Sequence, residues 1–231
     1  DGLLLNVPLY KTDVSREADV IEEVMRVYGY NNVEASGRFS FAMGIKGEEE
    51  TLKAENSIGE ILSSNGFREI MCTSLTKEAY YLQSQTYTEQ GHVKILNPLS
   101  SDLNIMRRTL LFGGLETIAY NSNRKNADLK LYEFGRVYFK NEEKEFKYGE
   151  EKRLAIFMCG RRFEENAYGR NEKENFFSMK SALEVLFEKL GISKIKSVEC
   201  TNEYMSGGIQ LNIKNKVLAE VGPVKKSLLK Q

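Results

Sequence analysis

Residues 97–139 decide the fold, and they read NPLSSDLNIMRRTLLFGGLETIAYNSNRKNADLKLYEFGRVYF. The opening Asn-Pro pair predicts a polar turn, because a residue before proline is biased away from the helical region. Leu111, Leu115 and Ile118 recur at i, i+4 and i+7, which puts one face of a helix against a core. Residues 129–139 carry apolar side chains on both alternating faces, so we predict a long strand covered on both sides. This order favours an α+β domain.

Composition narrows the class of protein. The 231 residues are 41% hydrophobic and 29% charged, which is typical of a soluble globular protein. Lys+Arg (33) equals Asp+Glu (33), so any contact with RNA would need a local basic patch. The single His92 excludes a multi-histidine metal site or a catalytic triad, and Cys72, Cys159 and Cys200 form no CxxC pair. No apolar run approaches the ~20 residues of a membrane span, so we expect a cytoplasmic protein without membrane contact.

Two further helices are predicted on either side of this stretch. Residues 16–28 form an amphipathic pattern that Asp13 or Ser15 could cap and that Gly29 would end. Asn171 could cap a second helix, in which apolar residues recur from Phe176 onward. The very polar segment 141–152 is predicted to be a solvated turn between two strands.

The resemblance of the chain to a known family rests on two blocks of sequence. The first block lies in the opening stretch, and the second begins near the N-terminus. Together they are similar to the β subunit of bacterial-type phenylalanyl-tRNA synthetase, and the similarity covers nearly the whole chain. The residues that carry it are Asn97-Pro98-Leu99-Ser100-Ser101, Met106-Arg107, Asn123-Arg124 and Leu131–Val137, with Val7-Pro8, Asp13 and Tyr28-Gly29-Tyr30 in the second block.

The resemblance implies a fold and a division into domains. Residues 1–36 would be the C-terminal part of a small B5-like domain, and 37–47 a linker. Residues 48–231 would form a catalytic-like core domain, a class II synthetase-like antiparallel sheet flanked by helices. We expect the chain to be a fragment of a longer protein, and leave open whether the core domain continues past Gln231.

The resemblance also implies a function. The family is an α2β2 phenylalanine–tRNA ligase, in which the α subunit would carry the ATP-dependent chemistry. This region would be a non-catalytic structural and assembly part that does not bind ATP, and tRNA would bind through the holoenzyme. The alternatives are a stand-alone RNA-binding module and a free-standing class II-like amino-acid ligase. The ligase is disfavoured because no glycine-rich segment of the third class II motif is present.

Two sets of site residues follow from the resemblance. The family's acidic residues bind Mg²⁺, which is shared with the α subunit, and oxygen ligands suit that ion. Glu22 and Glu23 could instead pair with Arg26 on the same helix. We expect the basic residues of the second set to support the fold or the subunit interface, or else to contact RNA or a phosphate group. The acidic set is Asp13, Asp19, Glu22 and Glu23, and the basic set is Arg107, Arg108, Arg124, Lys125 and Arg136.

An assembly role predicts exposed apolar surface in a chain that lacks its partner subunit. We expect such surface on the strand, at Tyr132, Phe134 and Tyr138, or along Ile105–Phe112. Exposed apolar patches tend to find a partner, so self-association is a further expectation.

Overall fold

The structure is a computed structural model that describes residues 2–34, 37–38, 40–41, 47–100, 102–141, 147–163, 167 and 172–230. The chain divides into two compact units, Asp1–Lys46 and Gly47–Gln231. In the described part, no helix is both long and apolar enough to cross a membrane.

Within its described residues, the first unit contains one α-helix, α1 (Glu17–Tyr28). The predicted caps Asp13 and Ser15 are wrong, because Arg16 occupies the N-cap position. The Asp19 carboxylate reaches back instead and accepts from the backbone N–H of Arg16 at 2.8 Å, which satisfies a donor that the helix leaves free. The predicted end at Gly29 is confirmed: its φ of 94° lies in a region that side chains disfavour.

In its described residues, the second unit combines three α-helices with eight β-strands of 2 to 12 residues. The helices are α2 (Gly47–Ser64), α3 (Leu111–Ser122) and α4 (Phe176–Lys189). The strands are β1 (Arg68–Glu69), β2 (Leu75–Thr76), β3 (Ile105–Met106), β4 (Leu129–Lys140), β5 (Tyr148–Cys159), β6 (Lys196–Glu199), β7 (Ile209–Ile213) and β8 (Lys216–Val221).

These strands form three sheets among the residues that the structure describes, in the orders β1-β4-β5, β2-β3 and β6-β7-β8. The predicted long strand and the predicted helix before it are confirmed as β4 and α3. The predicted antiparallel sheet is also confirmed, since β4 and β5 pair antiparallel along their whole length. One pairing differs: β1 runs parallel to β4, because the chain between them crosses over through α3 and other segments.

The core lies on both faces of the β4–β5 ribbon. On one face Leu131 and Phe157 pack beneath α3. On the other face Tyr132 packs with Leu62 and Phe67. The predicted exposure of the strand is therefore wrong at Tyr132, which is 2% exposed because α2 covers it.

The segment Ile105–Phe112 is likewise not the exposed surface that we expected. Ile105, Leu110 and Phe112 are all buried. Ile105 and Phe112 belong to an aromatic cluster with Tyr81 and Tyr204. Tyr204 lies 92 to 123 positions along the chain from the other three, so part of the cover of this segment comes from a distant part of the chain.

Helix α4 packs onto the third sheet. Leu183, Leu186 and Phe187 are buried against Leu211 and Val221. The helix begins at Phe176, as the apolar pattern indicates, but its cap is Asn175. The Asn175 side chain accepts from two backbone N–H groups of the first turn. The predicted cap Asn171 lies outside the described residues.

Candidate functional site

A buried arginine–carboxylate pair occupies the face of β4 that lies toward β3. Arg107 is 6% exposed and Glu133 is fully buried. Arg107 Nη1 donates to Glu133 Oε1 at 2.6 Å, and Arg107 Nε donates to the backbone carbonyl of Arg136 at 2.9 Å. Gly135 leaves the room for this arrangement, because a Cβ there would collide with Arg107 Nη2. Arg107 comes directly after β3 in the sequence, and this position places its side chain beside Glu133 of β4.

The pair also forms hydrogen bonds with the backbone of the segment that follows β1. The backbone N–H of Cys72 donates to Glu133 Oε1 at 3.2 Å, and Arg107 Nη1 lies 3.3 Å from the Cys72 carbonyl oxygen. Charges out of water need a partner of opposite sign and further hydrogen bonds. Glu133 Oε1 has both, whereas Glu133 Oε2 has no hydrogen-bond partner among the described residues. The pair therefore joins three segments that are far apart in the sequence.

Sequence reasoning overlooked Glu133. A signal was present, since a single carboxylate stands at an inward position of an otherwise apolar strand face. Buried carboxylates are rare unless a cation accompanies them, so Glu133 at this position predicts a basic side chain beside it. The pattern alone could not identify Arg107 as that partner, because 26 residues separate the two.

The other four basic residues have separate environments. Arg124 lies over the ring of Tyr120 at 3.4 Å and donates to the Tyr120 carbonyl oxygen. Arg136 forms an exposed ion pair with Glu150. Lys125 is exposed at a positive φ of 64° after α3.

Arg108 is the half-buried member of the basic set. Its guanidinium lies 5.4 Å from the centre of the Tyr87 ring, and burial lowers its pKa. Its Nη1 has no hydrogen-bond partner among the described residues. Arg107 and Arg108 therefore differ sharply although they are adjacent, since only Arg107 has a buried carboxylate opposite it.

The acidic set lies along α1 and just before it. Asp19 pairs with Arg16 at 3.0 Å, and Glu23 pairs with Arg26 at 2.7 Å and with Lys11 at 3.2 Å. Hydrogen bonds from Arg26 and Lys11 lower the pKa of Glu23. The alternative of a Glu23–Arg26 pair is thus observed.

The remaining two carboxylates, Asp13 and Glu22, make no side-chain hydrogen bond or ion pair within the described residues. Across that same part of the chain, no three His, Cys, Asp or Glu side chains lie together in a way that could hold a metal ion. Octahedral Mg²⁺ needs converging oxygen ligands, and two of the four carboxylates are occupied by cations of their own. The described residues alone therefore do not bring together a set of ligands for the ion, and magnesium stays a prediction.

Two protein-family models match the sequence of this chain. A model described as the phenylalanyl tRNA synthetase beta chain CLM domain matches residues 39–231. The chain belongs to the phenylalanyl-tRNA synthetase β-chain family. A second model, the tRNA synthetase B5 domain, matches residues 1–30. The two matches come in the order that the sequence resemblance predicted.

Curated relatives carry the same family name. The phenylalanine–tRNA ligase β subunit of Bacteroides thetaiotaomicron is 41% identical over 240 residues, and that of Porphyromonas gingivalis is 36% identical over 244. The β subunit of Thermotoga maritima is 29% identical over 232 residues. These alignments cover 99–100% of this chain but only 28–30% of the relatives. The chain therefore spans less than a third of the length of the β subunits that it matches.

Solved structures support the fold. A crystal structure of pyrrolysyl-tRNA synthetase from Desulfitobacterium hafniense superposes with a TM-score of 0.55, at 14% identity, over 94% of this chain and 71% of that one. A second structure from the same organism, a PylSc protein described as a pyrrolysyl tRNA synthetase, gives the same TM-score over 88% of this chain and 61% of its own. The chain thus shares the fold of these synthetase structures.

Proposed function

We propose that this chain is a structural and assembly region of a phenylalanine–tRNA ligase, in which an α subunit attaches phenylalanine to tRNA at the expense of ATP. The observation that carries the proposal is the buried Arg107–Glu133 pair. A class II synthetase resembles this fold but uses arginines on the central sheet to hold phosphate groups. Here Arg107 makes its bonds inside the protein.

The hydrogen bonds of Arg107 explain why it would be a poor phosphate ligand. A guanidinium binds an oxyanion with two parallel N–H donors. Its Nη1 is committed to Glu133 and to the Cys72 carbonyl, and its Nε to the Arg136 carbonyl. Releasing these donors would leave Glu133 as an uncompensated buried charge, which costs about 3–5 kcal/mol. This cost supports a scaffold role over nucleotide binding.

The contacts of the basic residues support neither of the two alternative functions. A stand-alone RNA-binding module needs a basic surface, but Arg124 and Arg136 have partners within the protein and the chain has no net charge. A free-standing ligase needs an ATP site, and the Arg107–Glu133 pair argues against one. The proposal is therefore the assembly role alone. It includes an α subunit as the partner, an α2β2 arrangement, tRNA binding through the holoenzyme and a cytoplasmic location.

Pyrophosphate exchange tests the non-catalytic role. We expect the purified chain to show no phenylalanine-dependent exchange of pyrophosphate into ATP, whereas the α subunit together with the full-length β subunit does exchange it. A mock purification from cells without the gene controls for host synthetase. Exchange by the chain well above that background would refute the proposal.

Assembly is tested separately with the α subunit. In size-exclusion chromatography with light scattering, full-length β subunit should form a specific complex with the α subunit. Addition of the α subunit to the 231-residue chain then asks whether the assembly surface lies here. An unchanged mass of the chain at micromolar concentration would place the interface in other parts of the β subunit.

We also propose that Mg²⁺ binds at α1 in the assembled enzyme, with further ligands from the α subunit. Asp13 and Glu22 are the carboxylates without a cation partner among the described residues, and would be the accessible ligands. Millimolar Mg²⁺ without ATP should raise the Tm of the assembled enzyme, and Glu22→Gln with Glu23→Gln should abolish that gain. Glu17→Gln, an exposed change on the same helix, is the matched control. An unchanged gain in the double variant would place the ion elsewhere.

A further inference from the structure

Lysines are concentrated at one end of the third sheet (β6-β7-β8). Strand β6 begins at Lys196, and Lys216 is the first residue of β8. Lys196 pairs with Asn212, next to the turn between β7 and β8, so the two lysines lie at the same end of the sheet. Helix α4 ends at Lys189, and the chain runs from there directly into β6. We call this surface the basic end, and its members are all exposed: Lys189, Lys194, Lys196, Lys214 and Lys216.

The lysines of the basic end are not neutralised by the described part of the protein. On α4 itself, Lys180 has a carboxylate partner in Glu184. None of the lysines of the basic end makes an ion pair or a side-chain hydrogen bond with the residues that the structure describes. Residues 189–196 and 212–217 contain no Asp or Glu, and the nearest carboxylate in the sequence is that of the exposed Glu188. The basic end is therefore a patch of positive charge without internal compensation.

The carboxylates of the same sheet lie at its opposite end. Glu199 is the last residue of β6, and Glu220 comes just before the last residue of β8. A strand advances by about 3.3 Å per residue, so Glu199 lies about 10 Å along the strand from Lys196. Exposed charges at that distance are largely screened at physiological salt. Glu220 also accepts hydrogen bonds from Asn202 and Gln210. These carboxylates therefore leave the charge of the basic end in place.

Two lysines of the basic end occupy turns whose backbone favours other residues. Lys194 has a φ of 63° and Lys214 has a φ of 55°. Glycine and asparagine adopt this left-handed conformation more readily than lysine does. Turn formation therefore does not account for lysine at either position. What each residue contributes is its ammonium group, which it carries into solvent.

The composition of the basic end favours a nucleic-acid backbone over a protein as its partner. Protein interfaces are depleted in lysine and enriched in aromatic side chains, and residues 189–196 and 212–217 contain no aromatic residue. Phosphate groups of nucleic acids are bound by lysine and also by serine and asparagine side chains. Ser193 and Asn215 are exposed directly beside lysines of the basic end. The surface thus offers the donors that a phosphate backbone requires.

We propose that the basic end binds the phosphate backbone of tRNA in the assembled ligase. This inference rests on the proposed function, because the tRNA would reach this chain only as a substrate of the holoenzyme. Each lysine would act as a point charge on a flexible stem and displace counterions from the phosphates. The surface is distinct from the basic set that the sequence predicted, in which Arg107 and Arg136 have partners inside the protein.

The salt dependence of tRNA binding tests the basic end in the complex of α subunit and full-length β subunit. The probe is a transcript of the tRNA for phenylalanine. Lys196→Gln with Lys216→Gln removes two charges from strand positions. Each lost phosphate contact lowers the slope of log K against log salt by about 1, so we expect a slope smaller by about 2 and a Kd at least about 10-fold higher at about 0.1 M salt.

A second pair of lysines supplies the matched control. Lys225 and Lys226 follow the end of β8, at the opposite end of the sheet. Lys225→Gln with Lys226→Gln removes the same number of charges and should leave the slope and the Kd unchanged. An equal loss of tRNA affinity in the control and the test pair would show that only net charge matters, and it would overturn the proposal.

A four-site variant extends the test to the two turns. It adds Lys194→Asn and Lys214→Asn to the test pair, since asparagine tolerates the left-handed backbone. The slope should then be smaller by about 4 than that of the unmodified enzyme. An unchanged slope and Kd in this variant would overturn the proposal.

Two measurements that need no tRNA separate this inference from the proposed function. The mass of the complex with the α subunit and the phenylalanine-dependent exchange of pyrophosphate should both be unchanged in the four-site variant. If they are unchanged and tRNA binding is also unchanged, the basic end is refuted while the proposed function stands. Loss of the α subunit from this variant would make the basic end a contact with acidic protein, which also overturns the proposal. An unmodified complex that binds no tRNA would refute the proposed function as well.

Discussion

Replacement of Glu133 by glutamine is the sharpest test of the buried pair that underlies the proposed scaffold role. The variant keeps the shape of the side chain and an acceptor for the Cys72 N–H, but it leaves Arg107 as a buried charge without an anion. Breaking a buried ion pair from one side costs about 3–5 kcal/mol. Carbonyl oxygens of Arg136, Cys72 and Thr73 still face the guanidinium, so we expect the lower end, about 3 kcal/mol.

Two variants make that expectation specific. Glu150→Gln removes the partner of Arg136 in a pair whose side chains are about half exposed, and such pairs contribute about 0–1 kcal/mol. The double change Arg107→Met with Glu133→Leu removes both charges. It should be less destabilising than Glu133→Gln alone, since two well-packed apolar groups can replace a buried ion pair.

The free energy of unfolding is measured by urea denaturation, which does not screen charges, and checked by Tm. For a unit of this size 3 kcal/mol corresponds to a Tm lower by about 6–12 °C. If Glu133→Gln lies within about 1 kcal/mol of Glu150→Gln, the pair does not hold the three segments together. The argument against a phosphate-binding Arg107 would then fail as well.

Two other positions give independent expectations. Gly114→Ala should destabilise the protein by about 1–3 kcal/mol, because the new Cβ would overlap the Phe157 ring. Gly59→Ala is the control within another helix: its Cβ meets only Tyr132 Oη at 3.4 Å, so the change should be neutral or stabilising. Equal Tm values for the two variants would contradict this expectation. Although burial raises the pKa of Glu203, hydrogen bonds from Ser84, Gln85 and Thr86 outweigh it and lower the pKa to about 2. A depressed folded-state pKa stabilises above the ordinary value of 4.5, and that stability is lost as pH falls toward 2. Glu203→Gln should therefore cost about 1.5–3 kcal/mol at neutral pH, and the difference from the unmodified chain should vanish near pH 2 in urea titrations; a difference independent of pH would refute the assignment.

Local patterns were sufficient for the main elements. The positions of α3, α4 and β4 follow from apolar side chains that recur at helical or alternating spacing, because burial of one face depends only on that spacing. The end of α1 at Gly29 follows from a conformation that glycine adopts without strain. The family was also visible in short motifs, and the family models confirm it.

Cap residues were the weakest local predictions. The sequence offers several residues that could cap α1 and α4, and the choice among them depends on which carboxylate or amide reaches the free N–H groups. Asp19 reaches back from inside α1, and Asn175 caps α4 directly. Both outcomes are settled by side-chain geometry within a few residues, which spacing does not resolve.

What only the tertiary structure decided is which distant residues meet. The sequence by itself determined that Arg107 is a basic residue beside an apolar helix, and that Glu133 lies on an apolar strand. Their pairing across 26 positions depends on β3 lying beside β4, which no local pattern encodes. The burial of Tyr132 has the same origin, because its cover comes from elements that are remote along the chain.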